Sequence, residues 1–429
     1  MRIVILTAGT GSYYCGTCMR DNALVLALRR QGHDAILVPM YLPLMLDETS
    51  TAEDAPLFYG GVNVYLQHVS RIFRKTPRWL DKLFDSPALL KKVAENAGMT
   101  TPAQLGTLTL STLQGSEGNQ AKELERMGEW LNGDAKADVI CISNALLIGI
   151  APYLKQKTSA KILCTLQGED YFLDSLPEPH RTQCWETLSR QGQSVDGFIA
   201  VSQYYGDLMQ KRANLPKERV HVVYNGIDLK GYRDLPERPL PHPPTIGYLA
   251  RLNPLKGLHT LVEAYLLLRE RNTVPDLRLS IAGTKNSADD RYLAELERRI
   301  AQTGLQASVT IQPNLSREKK IDFLRSLSVM SVPATYGESF GLYLLEAWAC
   351  EVPVVQPRHA AFPELLEITG GGELCEPDSV ESLADTLEAL LKQPECLQEL
   401  GRNGQKSVFE RFDVENMAAE FLRVVSGAE

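Results

Sequence analysis

MRIVILTAGTGSYYCGTCMRDNALVLALRRQGHDAILV, residues 1–38, reads as strand, loop, helix and strand. Arg2 to Leu6 is an apolar run entering a loop that contains Gly9, Gly11 and Gly16. DNALVLALRRQG then spaces its apolar residues as one face of a helix, Gly32 stops it, and a second apolar strand follows. This is the repeating unit of parallel sheets, whose strands are covered on both faces and therefore read as nearly continuous apolar runs. Such runs recur at ADVICIS (137–143), AKILCTL (160–166), VDGFIAVS (195–202) and ERVHVVY (218–224), separated by helical patterns. A second series follows at TIGYLA (245–250), LRLSIAG (277–283), ASVTIQP (307–313), SVMSVPA (328–334) and VPVVQP (352–357). Between the two lies LPERPLPHPP (235–244), too rich in proline for a helix or a central strand. The fold class is α/β, with two Rossmann-like domains facing across a cleft. The expected boundaries are 1–234 for the first domain, with a mostly helical insertion at about 70–132, 235–244 for a linker, 245–410 for the second domain, and 411–429 for a final helix that starts at Asp413 and crosses back to the first domain.

Composition narrows the class. The chain has 429 residues, 44% hydrophobic and 23% charged, enough to bury more than one core. A formal net charge of −8 argues against a broad nucleic-acid surface, which needs a clustered excess of Lys and Arg. No run of about eighteen apolar residues occurs, and Met1 leads directly into a strand without a cleavable signal pattern, so the expected location is the cytoplasm. The eight cysteines are scattered, mostly within apolar runs, as reduced core thiols would be. Cys15 and Cys18 have redox-motif spacing, but no second close pair accompanies them to complete a zinc site.

Two segments of the second half carry candidate chemistry. After TIGYLA come Arg251 and Lys256, two cations in a loop that opens a helix over Leu258–Arg269. A guanidinium fork, an ammonium group and free helix N–H groups suit a diphosphate. SVPATYGESFGLYLLEAWACEVPVV (331–355) then places Glu338 in a loop after a strand, Gly341 near a helix start and Glu346 on that helix. The two carboxylates are expected on the order of 10 Å apart, the reach from a donor's sugar ring to its ribose. The backbone N–H groups of Phe340, Gly341 and Leu342 lie between them, where glycine permits close approach of anionic oxygens.

Glu338 and Glu346 form an E-x7-E pattern. Together with GYLARLNPLKG (247–257), HVVYNGIDL (221–229) and FIAVSQYYGDLM (198–209), the chain resembles glycosyltransferase family 4, with the GT-B fold, over nearly its whole length outside the insertion. The resemblance implies a retaining hexosyltransferase that uses a nucleotide diphosphate sugar, most readily a UDP- or GDP-sugar, as substrate, with no cofactor and no metal. It implies that Arg251 and Lys256 bind the diphosphate, that Glu338 contacts the sugar and that Glu346 contacts the ribose. Gly16 falls where the family has a phosphate-approach glycine in its first loop, with Cys15 as a departure. Gln167, in TLQGED, stands where many members have a histidine near the reacting sugar. Glu351 and Ala360-Ala361 stand where glycine is common.

The acceptor is left open among saccharide, lipid-linked and small-molecule classes, as are the base, the sugar, the linkage and the oligomeric state. A GT-B phosphorylase or nucleotide-sugar epimerase, or a non-catalytic sugar-nucleotide-binding protein, remains an alternative. A dinucleotide-binding dehydrogenase does not fit, because GTGSYY breaks the glycine fingerprint and no acidic residue ends the next strand; no P-loop motif occurs. RIFRKTPRWLDKLFDSPALLKK (71–92) is basic and aromatic enough for an anionic bilayer, but a helical cover of the first domain is the favoured reading.

Overall fold

The computed structural model describes residues 1–9, 16–41, 51 and 102–427, with side chains throughout except at 102–104. The basic stretch at 71–92 and Cys15 lie outside the described residues. The chain divides into two compact units, Met1–Tyr224 with Met417–Glu429, and Asn225–Asn416.

The first unit holds a six-stranded parallel sheet of β1 (Arg2–Thr7), β2 (Asp34–Pro39), β3 (Val139–Ile142), β4 (Lys161–Leu166), β5 (Gly197–Ala200) and β6 (Val220–Val222), in the order β2-β1-β3-β4-β5-β6. Among the described residues its helices are α1 (Gly16–Arg30), α2 (Pro102–Leu113), α3 (Ala121–Trp130), α4 (Ala151–Lys157), α5 (Glu169–Asp174), α6 (His180–Gly192) and α7 (Gln203–Arg212). Ile3 to Leu6 and Ile140 to Ile142 are fully buried, which accounts for their unbroken apolar runs. One boundary moves. Apolar periodicity begins the first helix at Asp21, whereas α1 starts at Gly16. Arg20, Asp21 and Asn22 are polar yet at most 2% exposed, so their burial leaves no hydrophobic trace in the sequence.

The second unit repeats the plan with β7 (Thr245–Leu249), β8 (Arg278–Gly283), β9 (Val309–Pro313), β10 (Val329–Met330), β11 (Val354–Pro357) and β12 (Gly372–Cys375), ordered β12-β11-β10-β7-β8-β9. Its helices are α8 (Leu258–Arg271), α9 (Asp290–Gln302), α10 (Arg317–Arg325), α11 (Leu342–Ala349), α12 (Phe362–Thr369), α13 (Val380–Leu391) and α14 (Pro394–Arg411). The proline-rich segment 235–244 has no regular structure and lies within this unit. Arg238 anchors it, donating to the carbonyls of Leu327 (2.5 Å) and Glu351 (2.7 Å) from a nearly buried position. A last helix, α15 (Val414–Ser426), belongs to the first unit from Met417 onward.

Topology fixes where ligands meet such sheets. Strand order reverses between β7 and β10 in the second unit, paired in register as Ile246↔Val329 and Gly247↔Met330, and between β1 and β3 in the first. At these switch points adjacent strands send their following loops to opposite faces, leaving a crevice beyond their carboxyl ends.

Candidate functional site

The loops after β7 and β10 carry Lys256 and Glu338, and the switch point brings these two together. After β7 the chain passes Arg251 and makes a short 3-10 turn, Pro254–Lys256, capped by Asn253, whose side-chain oxygen accepts the Lys256 N–H (3.2 Å). Gly257 follows at φ 70°, and a Cβ there would sit 1.7 Å from the Pro333 carbonyl oxygen. Only glycine lets these two loops approach so closely.

The result is a compact polar cluster. Lys256 Nζ donates to Tyr336 Oη (2.6 Å) and is ion-paired with Glu338 Oε2, and that same oxygen accepts from Tyr336 Oη (3.2 Å) and Tyr343 Oη (3.1 Å). The ammonium group lies 5.0 Å and 5.5 Å from the ring centroids of Tyr336 and Tyr343, within cation–π range. The Glu338 side chain is only 9% exposed. Burial pushes the Tyr343 hydroxyl well above its ordinary range, with the Glu338 charge adding to the effect, so it stays a neutral donor. The site thus pairs the cation expected at the diphosphate directly with the acid expected at the sugar.

The other candidates of this unit make separate contacts. Arg251 is ion-paired with the buried Asp289 (3.7 Å), and its carbonyl accepts from the buried hydroxyl of Tyr248 (3.0 Å). Glu346 lies on α11 and pairs with Lys320 of α10 (2.5 Å) in a largely buried contact. Gly341 caps α11 at φ 90°, Leu342 is that helix's first residue, and the Phe340 ring is buried against Phe412, with centroids 6.2 Å apart.

Two candidates lie in the first unit. Gly16 is the exposed first residue of α1 rather than part of a loop. Gln167 follows β4 and donates from Nε2 to the Ser143 carbonyl (2.8 Å) just after β3. Beside it the buried Glu169 accepts from the N–H groups of Ala145 (2.9 Å), Gln167 (2.9 Å) and Gly168 (3.0 Å) and from Tyr205 Oη (2.8 Å). Near the β1/β3 switch, Arg20 and Asp21 form a fully buried ion pair (3.0 Å). Burial raises the Asp21 carboxyl above the usual range, and the Arg20 charge opposes that rise.

Tyr336, Tyr343, Asp289, Lys320 and Glu169 were not among the residues expected from sequence. A signal for two of them exists. Tyr336 lies only two residues before Glu338 in the same loop, and Tyr343 carries the one hydroxyl in the otherwise apolar run LYLL before Glu346.

Two family models match the chain in succession. The family model described as "Glycosyltransferase Family 4" matches residues 116–230, and that described as "Glycosyl transferases group 1" matches residues 236–407. The chain belongs to glycosyltransferase family 4. It is 31% identical over 245 residues to the MMP alpha-(1->4)-mannosyltransferase of Mycolicibacterium hassiacum, covering 57% of each chain. It is 34% identical over 236 residues to the D-inositol 3-phosphate glycosyltransferase of an Arthrobacter species, covering 53% of this chain and 54% of the relative. The chain thus spans about half the length of the curated relatives it matches. Among solved structures, sucrose-phosphate synthase from Thermosynechococcus elongatus superposes with a TM-score of 0.69 at 18% identity, covering 99% of this chain and 98% of the other. Anabaena HepE in complex with UDP gives 0.68 at 18% identity over the full length of both. The fold of the family 4 chain is GT-B, with two Rossmann-like domains. No helix among its described residues is long and apolar enough to cross a membrane.

Proposed function

We propose that the chain is a retaining, metal-independent hexosyltransferase that takes its sugar from a nucleotide diphosphate donor held by the second unit. The observation that carries this reading is the Lys256–Glu338 pair at the β7/β10 switch, inside the region matched by the group 1 family model. The reaction breaks the bond between the anomeric carbon and the donor's phosphate oxygen and forms one to an acceptor oxygen, whose proton passes to the leaving diphosphate. Its difficult step separates a diphosphate anion from an oxocarbenium-like sugar. Lys256 and Arg251 stabilise that anion, the start of α11 adds its dipole, Glu338 holds the sugar and Glu346 the ribose. Gly16 is assigned to the donor's phosphates and Gln167 to the acceptor or sugar side. The residues require no cofactor in this scheme.

The test is a thermal-shift panel of UDP, GDP and ADP with their glucose and mannose conjugates, in chelator. Mass spectrometry of acceptor mixtures then follows, including D-inositol 3-phosphate, the compound named in one relative's activity. A stabilising nucleotide and a glycosylated product formed in chelator support the proposal. Turnover only with free phosphate, donor isomerisation without acceptor, or binding without any transfer would replace it with the phosphorylase, epimerase or binding-protein reading.

A further inference from the structure

The carboxylate of Glu338 is bonded asymmetrically. Lys256, Tyr336 and Tyr343 all donate to Oε2, whereas Oε1 accepts no hydrogen bond among the described residues. The three donors come from three places: the turn before α8, the loop after β10, and the first full turn of α11. Tyr343 reaches the carboxylate by folding back across the cap of its own helix. A Cβ on Gly341 would lie 3.2 Å from Tyr343 Cζ and 3.3 Å from its Oη, so the ring passes directly over that glycine. The same ring faces the Lys256 ammonium.

We propose that Tyr343 is a positioning residue for Glu338. Its hydroxyl fixes Oε2 and thereby holds Oε1 as the one acceptor turned toward the sugar. The inference rests on the function proposed above and adds to it a specific atom and a specific support. A carboxylate clamped through one oxygen keeps the other at a fixed angle, and a hydroxyl of the sugar ring meets it without first reorganising the site. Lys256 alone does not impose this geometry, because an ammonium rotates its three donors freely and follows the carboxylate wherever it turns. The Tyr343 hydroxyl, at the end of a buried ring, cannot follow.

Tyr343→Phe isolates the effect, since it retains the ring over Gly341 and beside Lys256 and removes one donor. With the donor found by the panel above, the variant is expected to bind the free nucleoside diphosphate as the parent does, within about twofold, while kcat falls about tenfold. In a Glu338→Gln background the same substitution is expected to have no further effect on kcat, because it acts through the carboxylate. Tyr336→Phe serves as the companion variant: it leaves the direct Lys256–Glu338 pair, removes the hydroxyl that accepts from Lys256 and donates to Glu338, and is expected to weaken nucleoside diphosphate binding as well. Parent-like kcat in Tyr343→Phe, or an equal loss with and without the Glu338 carboxylate, would overturn the assignment. So would a matching loss of affinity for nucleoside diphosphate and donor, which would place the residue with Lys256 instead. A parent protein that neither binds nor turns over any donor would remove the function itself, an outcome distinct from all of these.

Discussion

At the residue scale, two positions explain departures from the family pattern in conformational terms. Glu351 has φ 58° and Ala360 has φ 54°, both in the left-handed region, and these are positions where glycine is common in the resembling family. For Glu351 the cause is plain. Its N–H bonds the Trp348 carbonyl (2.9 Å) while that of Val352 bonds Ala347 (2.9 Å), the double bond of a Schellman motif whose left-handed residue is usually glycine. A Cβ in this region costs about 1 kcal/mol, offset in part by the greater unfolded-state entropy of glycine. Glu351→Gly and Ala360→Gly are each expected to stabilise the protein by about 0.5–1 kcal/mol, read as a rise in Tm of about 1–4 °C. A fall in Tm in either variant would show that the side chain contributes more than its backbone costs. The central substitutions also belong here. On the proposed function, Lys256→Ala or Arg251→Ala is expected to lower kcat about a hundredfold, because a cation at the leaving group acts in the charge-separated transition state. Glu346→Ala is expected chiefly to raise the KM for the donor, since a ribose contact is alike in ground and transition states. Steady-state kinetics on folded variants decides, and near-parent kcat in both cation variants would sink the site.

At the scale of elements, the strands were legible and the polar supports were not. Apolar runs such as KILCTL and RLSIAG announce themselves because both faces are covered, and the loops that carry Arg251, Lys256 and Glu338 follow from the ends of such runs. Glu169 was hidden. It reads as an ordinary acidic residue in the first turn of α5, yet it is 1% exposed and gathers three backbone N–H groups and a tyrosine hydroxyl. It thereby ties the turn after β3 to the loop after β4 that carries Gln167. Glu169→Gln points an amide NH2 at backbone N–H groups that only donate, and it is expected to cost about 1–3 kcal/mol of stability, measured by chemical denaturation. Its pH dependence has a defined sign. Burial holds the Glu169 carboxyl above the usual range despite its donors, so the folded chain binds that proton more tightly than the unfolded chain does. Its contribution to stability is therefore greatest at low pH and declines as pH rises from the usual carboxylate value through the raised one. The variant is expected to lose that downward slope, and an unchanged profile would contradict it.

At the scale of the whole molecule, the doubled β-α-β pattern made two sheets readable, while the division of the chain depends on contacts that no local pattern encodes. The units part at Tyr224, ahead of the proline-rich segment, because Arg238 binds that segment to the second unit's own carbonyls. The first unit regains chain at its far end through α15, where Ala418 and Phe421 are fully buried and Met417 is nearly so. Lys161, at the start of β4, donates from Nζ to the carbonyls of Val424 and Val425 (2.9 Å each) in the last turn of α15, where the Val424 carbonyl also accepts the Gly427 N–H (3.3 Å). A cation at a helix C-terminus is favoured by those oxygens and by the helix dipole. Phe421→Ala empties a core position and is expected to cost about 3–5 kcal/mol, whereas Lys161→Met keeps the aliphatic stem and removes only the charged donor, for about 1–2 kcal/mol in this partly exposed setting. Hydrogen exchange read along the chain separates local from general effects. Amides of α15 and β4 are expected to exchange faster in both variants, and those of β7, β8 and β10 at the parent rate. If the second unit's sheet loses protection equally, α15 stabilises the molecule as a whole rather than the unit to which its buried residues belong.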